Sequence, residues 1–155
     1  MQACFIGHRT IENSKELVSL LNETVLTLIN KGVTNFLFGS KSAFDSLAWQ
    51  VVTKIKNDYP FIKRVYVRSS NKNISKQYKK YLLKFYEDTI FPFNIEKAGR
   101  GSYVERNFTM IDKSIYCVFY YNENYIPMPK RNSGTKVAYN YALRKTKEII
   151  NLFNK

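Results

Sequence analysis

Chemistry-bearing residues are scarce in this chain. It holds two cysteines and one histidine among 155 residues. Two thiols cannot make a disulfide framework, and one imidazole added to them leaves a tetrahedral zinc site short of a ligand. Cys4 and Cys117 both lie inside apolar runs and read as buried thiols of a reducing, cytoplasmic setting. No apolar run approaches the roughly 20 residues of a membrane-crossing helix. The opening MQACFIGH has no basic stretch followed by an apolar one, so no signal peptide is expected. No repeat or low-complexity linker interrupts the sequence, and residues 1–155 are read as one domain. Metal, cofactor and membrane stay outside the expectation.

Acidic residues are the other scarcity. Twelve Asp and Glu face 25 Lys and Arg, a formal charge of +13 and a pI near 9.7. Such an excess attracts polyanions and phosphorylated small molecules. It is also usual in Lys-rich chains that serve no polyanion. What the sequence has in quantity is apolar: 45% hydrophobic residues suffice for a full core, and most of the 12 Tyr and 11 Phe fall at helix or strand spacing.

ACFIG at 3–7 is a short apolar run consistent with a buried strand. Asn13 with Glu16 resembles a capping box, followed by Leu17, Leu20, Leu21, Thr24, Val25 and Leu28 at helical spacing and a stop at Gly32. NFLFGS is a second strand, and Ser42 with Asp45 caps a helix whose apolar face runs from Phe44 to Ile55. KRVYVRSS is a third strand. A helix is predicted over 74–87, with Lys76, Lys80 and Lys84 on a solvated side and Tyr78, Tyr81 and Phe85 towards the core. TIFPFNI reads as a further short strand that Pro92 weakens. Ser102 and Glu105 open a capped helix through Ile111; SIYCVFYY is a strand, SGTKVAYNYALRK a helix and EIINLF a closing strand. YNENYIPMPKRNSG, 121–134, is the expected mobile loop.

Strands apolar on both faces, alternating with helices, call for a covered parallel sheet. The predicted class is α/β: a Rossmann-like three-layer sandwich with a mainly parallel central sheet and right-handed crossovers. Ligands of such sheets bind beyond the carboxyl ends of the strands. The polar groups there are Gly7, His8 and Arg9; Gly39, Ser40, Phe44 and Asp45; Arg68 to Ser70; Arg100, Gly101, Ser102, Tyr103, Glu105 and Arg106; and Ser133, Gly134 and Thr135. Three of these groups precede helices, whose free amides and dipole favour a phosphate. Gly39, Gly101 and Gly134 would let backbone approach oxygen-rich ligands, and Arg9, Arg100 and Arg106 add planar donors. Each also has a plainer reading: the glycines as tight turns, Asp45 and Glu105 as caps, His8 as a turn residue.

CFIGHR, FGSKSAFDSLAWQVV, YVERNFTMIDKSIYCVFYY and SGTKVAYNYA together resemble the SLOG superfamily, which unites the Smf/DprA DNA-processing proteins with the Lonely Guy phosphoribohydrolases. The likeness spans nearly the whole chain and is greatest to small bacterial and phage-borne members. It implies nucleotide or nucleotide-derived ligands at the same sheet edge. Lonely Guy enzymes cleave an N-glycosidic bond with an Arg in an R-K-x-x-M helix and a Glu after G-G-x-G-T. Here Arg106 and Met110 keep the first pattern, with Asn107 in place of Lys. Gly134 and Thr135 remain of the second, but Lys136 and Val137 stand where the acidic residues belong.

The expectation is therefore a nucleotide or ADP-ribose-type binder. The resemblance adds a role as sensor or sequestering protein for a signalling nucleotide in antiviral defence. The alternatives are an N-glycosidic hydrolase using Arg106 with Asp45 or Glu105, and a DprA-like binder of single-stranded DNA. Only weak, sequence-independent nucleic-acid binding is expected, and a homo-oligomer is left open.

Overall fold

Residues 3–7 are all buried, with no polar residue among them. A strand of that kind must be covered on both faces. The computed structural model describes residues 1–39, 42–69, 76–93, 95, 99–127 and 133–155, with the backbone alone at Arg100. Its strands are β1 (Gln2–Gly7), β2 (Asn35–Phe38), β3 (Lys63–Val67), β4 (Asp88–Ile90), β5 (Tyr116–Tyr120) and β6 (Glu148–Asn151). They form one sheet in the order β4-β3-β2-β1-β5-β6, with every pairing parallel. The helices are α1 (Lys15–Asn30), α2 (Ala43–Ile55), α3 (Lys76–Leu82), α4 (Ser102–Lys113) and α5 (Gly134–Arg144). This is the three-layer Rossmann-like sandwich that the alternation predicts.

Strand periodicity divides the core in two. Phe5, Phe36 and Phe38 face Leu21, Val25 and Leu28 of α1 and Phe44, Ala48 and Val52 of α2. Cys4, Ile6, Leu37 and Phe119 face Met110 and Ile111 of α4 and Ala138 and Ala142 of α5. Cys4 and Cys117 are register partners on β1 and β5, both free and fully buried. Burial and the neighbouring Cys117 push the Cys4 thiol well above its usual range.

Local signals set most boundaries, with instructive exceptions. Ser14, not Asn13, caps α1: its hydroxyl accepts the Leu17 N–H at 3.1 Å, while Glu16 sits in the first turn. Ser42 caps α2 as expected, accepting the Asp45 N–H at 3.0 Å. The Ser102–Glu105 cap does not form, because Ser102 is already helical and Gly101 occupies the cap position without a side chain to offer. α3 ends at Leu82, short of the predicted 87. The chain must turn there so that Tyr86 can pack on Phe38 and Tyr66, and Asp88 can pair with Val65. Tyr78, Tyr81 and Phe85, expected towards the core, are exposed instead. β4 stops at Ile90, two residues before Pro92, so the predicted TIFPFNI strand keeps only its first two residues. Residues 74–75, and 128–132 of the expected mobile loop, lie outside the described residues.

Candidate functional site

In the sheet order, β1 lies between β2 and β5; α1 and α2 cover one face and α4 and α5 the other. That reversal of direction opens a crevice at the carboxyl ends of β1 and β5. A cleft of about 500 Å³ occupies it. Ile6, Gly7, His8 and Arg9 line it from the end of β1, Ser42 from the cap of α2, and Tyr103, Arg106 and Asn107 from α4. Tyr125 and Pro127 close it after β5, and Ser133, Gly134 and Thr135 present the start of α5. No Asp or Glu is among the described lining residues.

Gly7 sits at the floor because nothing larger fits. A Cβ there would come within 2.5 Å of the Phe44 ring. Phe44 itself is fully buried against Phe5 and Tyr120, beneath the cleft and not in its lining. Arg9 is exposed, and its carbonyl accepts the Ala43 N–H at 2.9 Å, tying the loop after β1 to the start of α2.

Arg106 is the most consequential side chain. It is only 5% exposed, yet no carboxylate lies within ion-pair distance among the described residues. Its Nε and Nη2 donate to Asn107 Oδ1 at 3.3 and 3.1 Å, and the Tyr103 ring lies 5.3 Å from its guanidinium carbon. Burial pulls its pKa below the usual value; Asp45, too far for an ion pair, pulls it back up. A buried cation without a counter-ion is costly, so an anion entering the cleft would relieve it.

Gly39 serves this arginine from behind. A Cβ on it would lie 2.8 Å from Arg106 Cδ and from Met110 Sδ, and 3.0 Å from the Val67 carbonyl. Its N–H donates to Asp45 Oδ1 at 3.3 Å. The small residue after β2 thus makes room for α4. Asp45 is buried as part of that support, and neither residue lines the cleft. Gly101, Ser102 and Glu105 do not line it either. Ser40, Ser70 and the side chain of Arg100 lie outside the described residues.

His8 is 2% exposed and stacks on Tyr125, with ring centroids 3.9 Å apart. Its Nε2 lies 2.9 Å from the Asn122 N–H and 3.3 Å from that residue's carbonyl. The shorter contact needs a lone pair on Nε2, which places the neutral ring's proton on Nδ1. Burial lowers the His8 pKa, with the Asn122 backbone opposing. His8 is therefore a shaped wall and not a fixed charge. At α5, Ser133 Oγ accepts the Lys136 N–H at 3.3 Å, while the first-turn amides have no intrahelical acceptor.

Of the sequence-predicted residues, the cleft gathers Gly7, His8, Arg9, Tyr103, Arg106, Ser133, Gly134 and Thr135. It adds Ile6, Ser42, Asn107, Tyr125 and Pro127. Ser42 and Asn107 carried a signal as a cap and as an odd residue in a motif. Tyr125 and Pro127 carried none beyond lying in a breaker-rich loop. Fold and cleft together define a Rossmann-like α/β protein with a crevice at its switch point, a class compatible with nucleotide binding in general. No protein-family model matches the chain, and no curated protein matches it significantly. Among the described residues no helix is long and apolar enough to cross a membrane.

Proposed function

We propose that the cleft binds a phosphorylated nucleoside, of mononucleotide to ADP-ribose type, without cleaving it. The carrying observation is Arg106: a nearly buried guanidinium lining the cleft with no carboxylate paired to it among the described residues. A phosphate held between this side chain and the first turn of α5 would meet a charged donor and helix amides together. Tyr103 and the His8–Tyr125 stack offer ring faces to a base. A volume near 500 Å³ is within the usual range for small-molecule sites.

Cleavage of an N-glycosidic bond needs a carboxylate to steady the oxocarbenium-like state or activate water. The described lining offers none, Lys136 and Val137 replace the acidic pair of the SLOG-type enzymes, and Asp45 is bonded to the Gly39 N–H outside the cleft. Binding is therefore the better reading. The SLOG resemblance supports a role as sensor or sequestering protein for a nucleotide signal. Thermal-shift titration with AMP, ADP-ribose, NAD and cyclic dinucleotides tests it. A true ligand at 100 times its Kd stabilises by about 2.7 kcal/mol; no shift across the panel would overturn the proposal.

A further inference from the structure

A second surface, away from the cleft, has an unusual composition. Residues 76–86 hold Lys76, Lys79, Lys80 and Lys84, and no Asp or Glu. All four lysines are exposed. So are the rings between them: Tyr78 at 43%, Tyr81 at 55% and Phe85 at 40%. Leu82 and half-buried Tyr86 alone turn this segment inward. Apolar rings held in water by a helix that buries so little of itself mark an interaction surface.

The rings form one ladder. Tyr78 and Tyr81 lie within 17° of parallel at 6.3 Å, and Tyr81 meets Phe85 edge-on at 5.2 Å. Phe85 reaches Trp49 of α2 at 6.3 Å, and Arg64 sits 5.3 Å over the Trp49 ring. Near this edge Arg68 stacks on Phe91 at 4.9 Å, and its Nε has no hydrogen-bond partner among the described residues.

We infer that the α3 surface binds single-stranded nucleic acid, with bases stacked on Tyr81 and Phe85 and phosphates on the flanking lysines. Four lysines with no Asp or Glu between them call for a polyanion; Glu87, just beyond, is held by Arg64 at 2.7 Å. Exposed aromatic rings favour a partner with a planar group at every repeat, which a nucleic-acid strand supplies. A duplex hides its base faces, whereas a single strand offers them in any sequence. None of these residues lines the cleft, so the two sites are separate.

The test is fluorescence anisotropy with a labelled oligothymidylate of about 20 nucleotides and the full chain. Four phosphate contacts on a single strand give a log–log salt slope of about −2.8, a loss of roughly 50-fold between 50 and 200 mM salt. Tyr81→Ala/Phe85→Ala, both exposed and tolerable to the fold, should weaken binding about tenfold or more at unchanged slope. Tyr81→Trp/Phe85→Trp should retain it. Lys79→Ala/Lys80→Ala should flatten the slope by about 1.4. Arg106→Ala should leave the oligonucleotide affinity unchanged, so failure here and failure of the cleft reading are told apart. No binding at 50 mM salt, an alanine double variant that binds like the wild type, or equal displacement by duplex, heparin or polyglutamate would each overturn the inference.

Discussion

The cleft and the α3 surface treat cations and aromatic rings in opposite ways. At the switch point Arg106 is sunk among side chains and Tyr125 is packed on His8. At the β4 edge the lysines and the tyrosines both stand in water. Sunken groups have one geometry, which suits one small ligand, and they carry the cost of a charge removed from solvent. Groups standing in water have many geometries and little desolvation cost, which suits a polymer that binds in many registers. The same residue types are thus suited to different ends according to burial.

Rings give the sharpest contrast. Phe44 is fully buried beneath Gly7, so Phe44→Ala should lose about 3–5 kcal/mol of stability in urea denaturation. Tyr81→Ala, at an exposed position, should stay within about 0.5 kcal/mol of wild type. Equal costs would erase the distinction.

Gly39→Ala sharpens it at the cleft's support. The new Cβ would press on Arg106 Cδ, Met110 Sδ and the Val67 carbonyl, at an overpacking cost of about 1–3 kcal/mol. Nucleotide affinity should fall with it, because Arg106 must shift. Unchanged affinity would show that the arginine's position is immaterial. Ser133→Ala removes the α5 cap and should cost about 1 kcal/mol, measured by the same denaturation.

The smallest effect is on pH dependence. His8 has its folded pKa below the ordinary 6.5, chiefly through burial. Below 6.5 the unfolded state takes up a proton that the folded state refuses, so stability present above that pH is lost as pH falls towards the folded pKa. His8→Phe, which keeps a ring against Tyr125, should remove this segment of the pH–stability curve. A curve of the same shape in the variant would mean another group is responsible.

The fold was legible because its strands are apolar on both faces and its helices apolar on one. The cleft was partly legible because a parallel sheet puts strand ends on one edge, which gathers Gly7, His8, Arg9 and the Ser133 to Thr135 start. The glycines at that edge had two readings in the sequence, ligand approach and tight turn, and neither described the packing role of Gly39. Gly39 serves packing, which sequence spacing cannot distinguish from ligand approach. Tyr81 and Phe85 were misplaced because helical spacing says which residues share a face, not which face the neighbouring strands cover. Tyr125 enters the cleft through a long-range stack on His8, and no local pattern encodes that.

On the proposed reading, Arg106 is buried for a ligand and not for the fold. One paired measurement on Arg106→Met tests it most directly: calorimetric titration with the nucleotide that stabilises the wild type, alongside urea denaturation without ligand. Affinity should fall by about 1.5–3 kcal/mol, the range for hydrogen bonds to a charged group. Unliganded stability should hold or rise, because a buried charge with no ion-pair partner among the described residues has been replaced by an apolar chain. Affinity that stays at the wild-type value, or a stability loss of about 3–5 kcal/mol such as a broken buried ion pair gives, would contradict it.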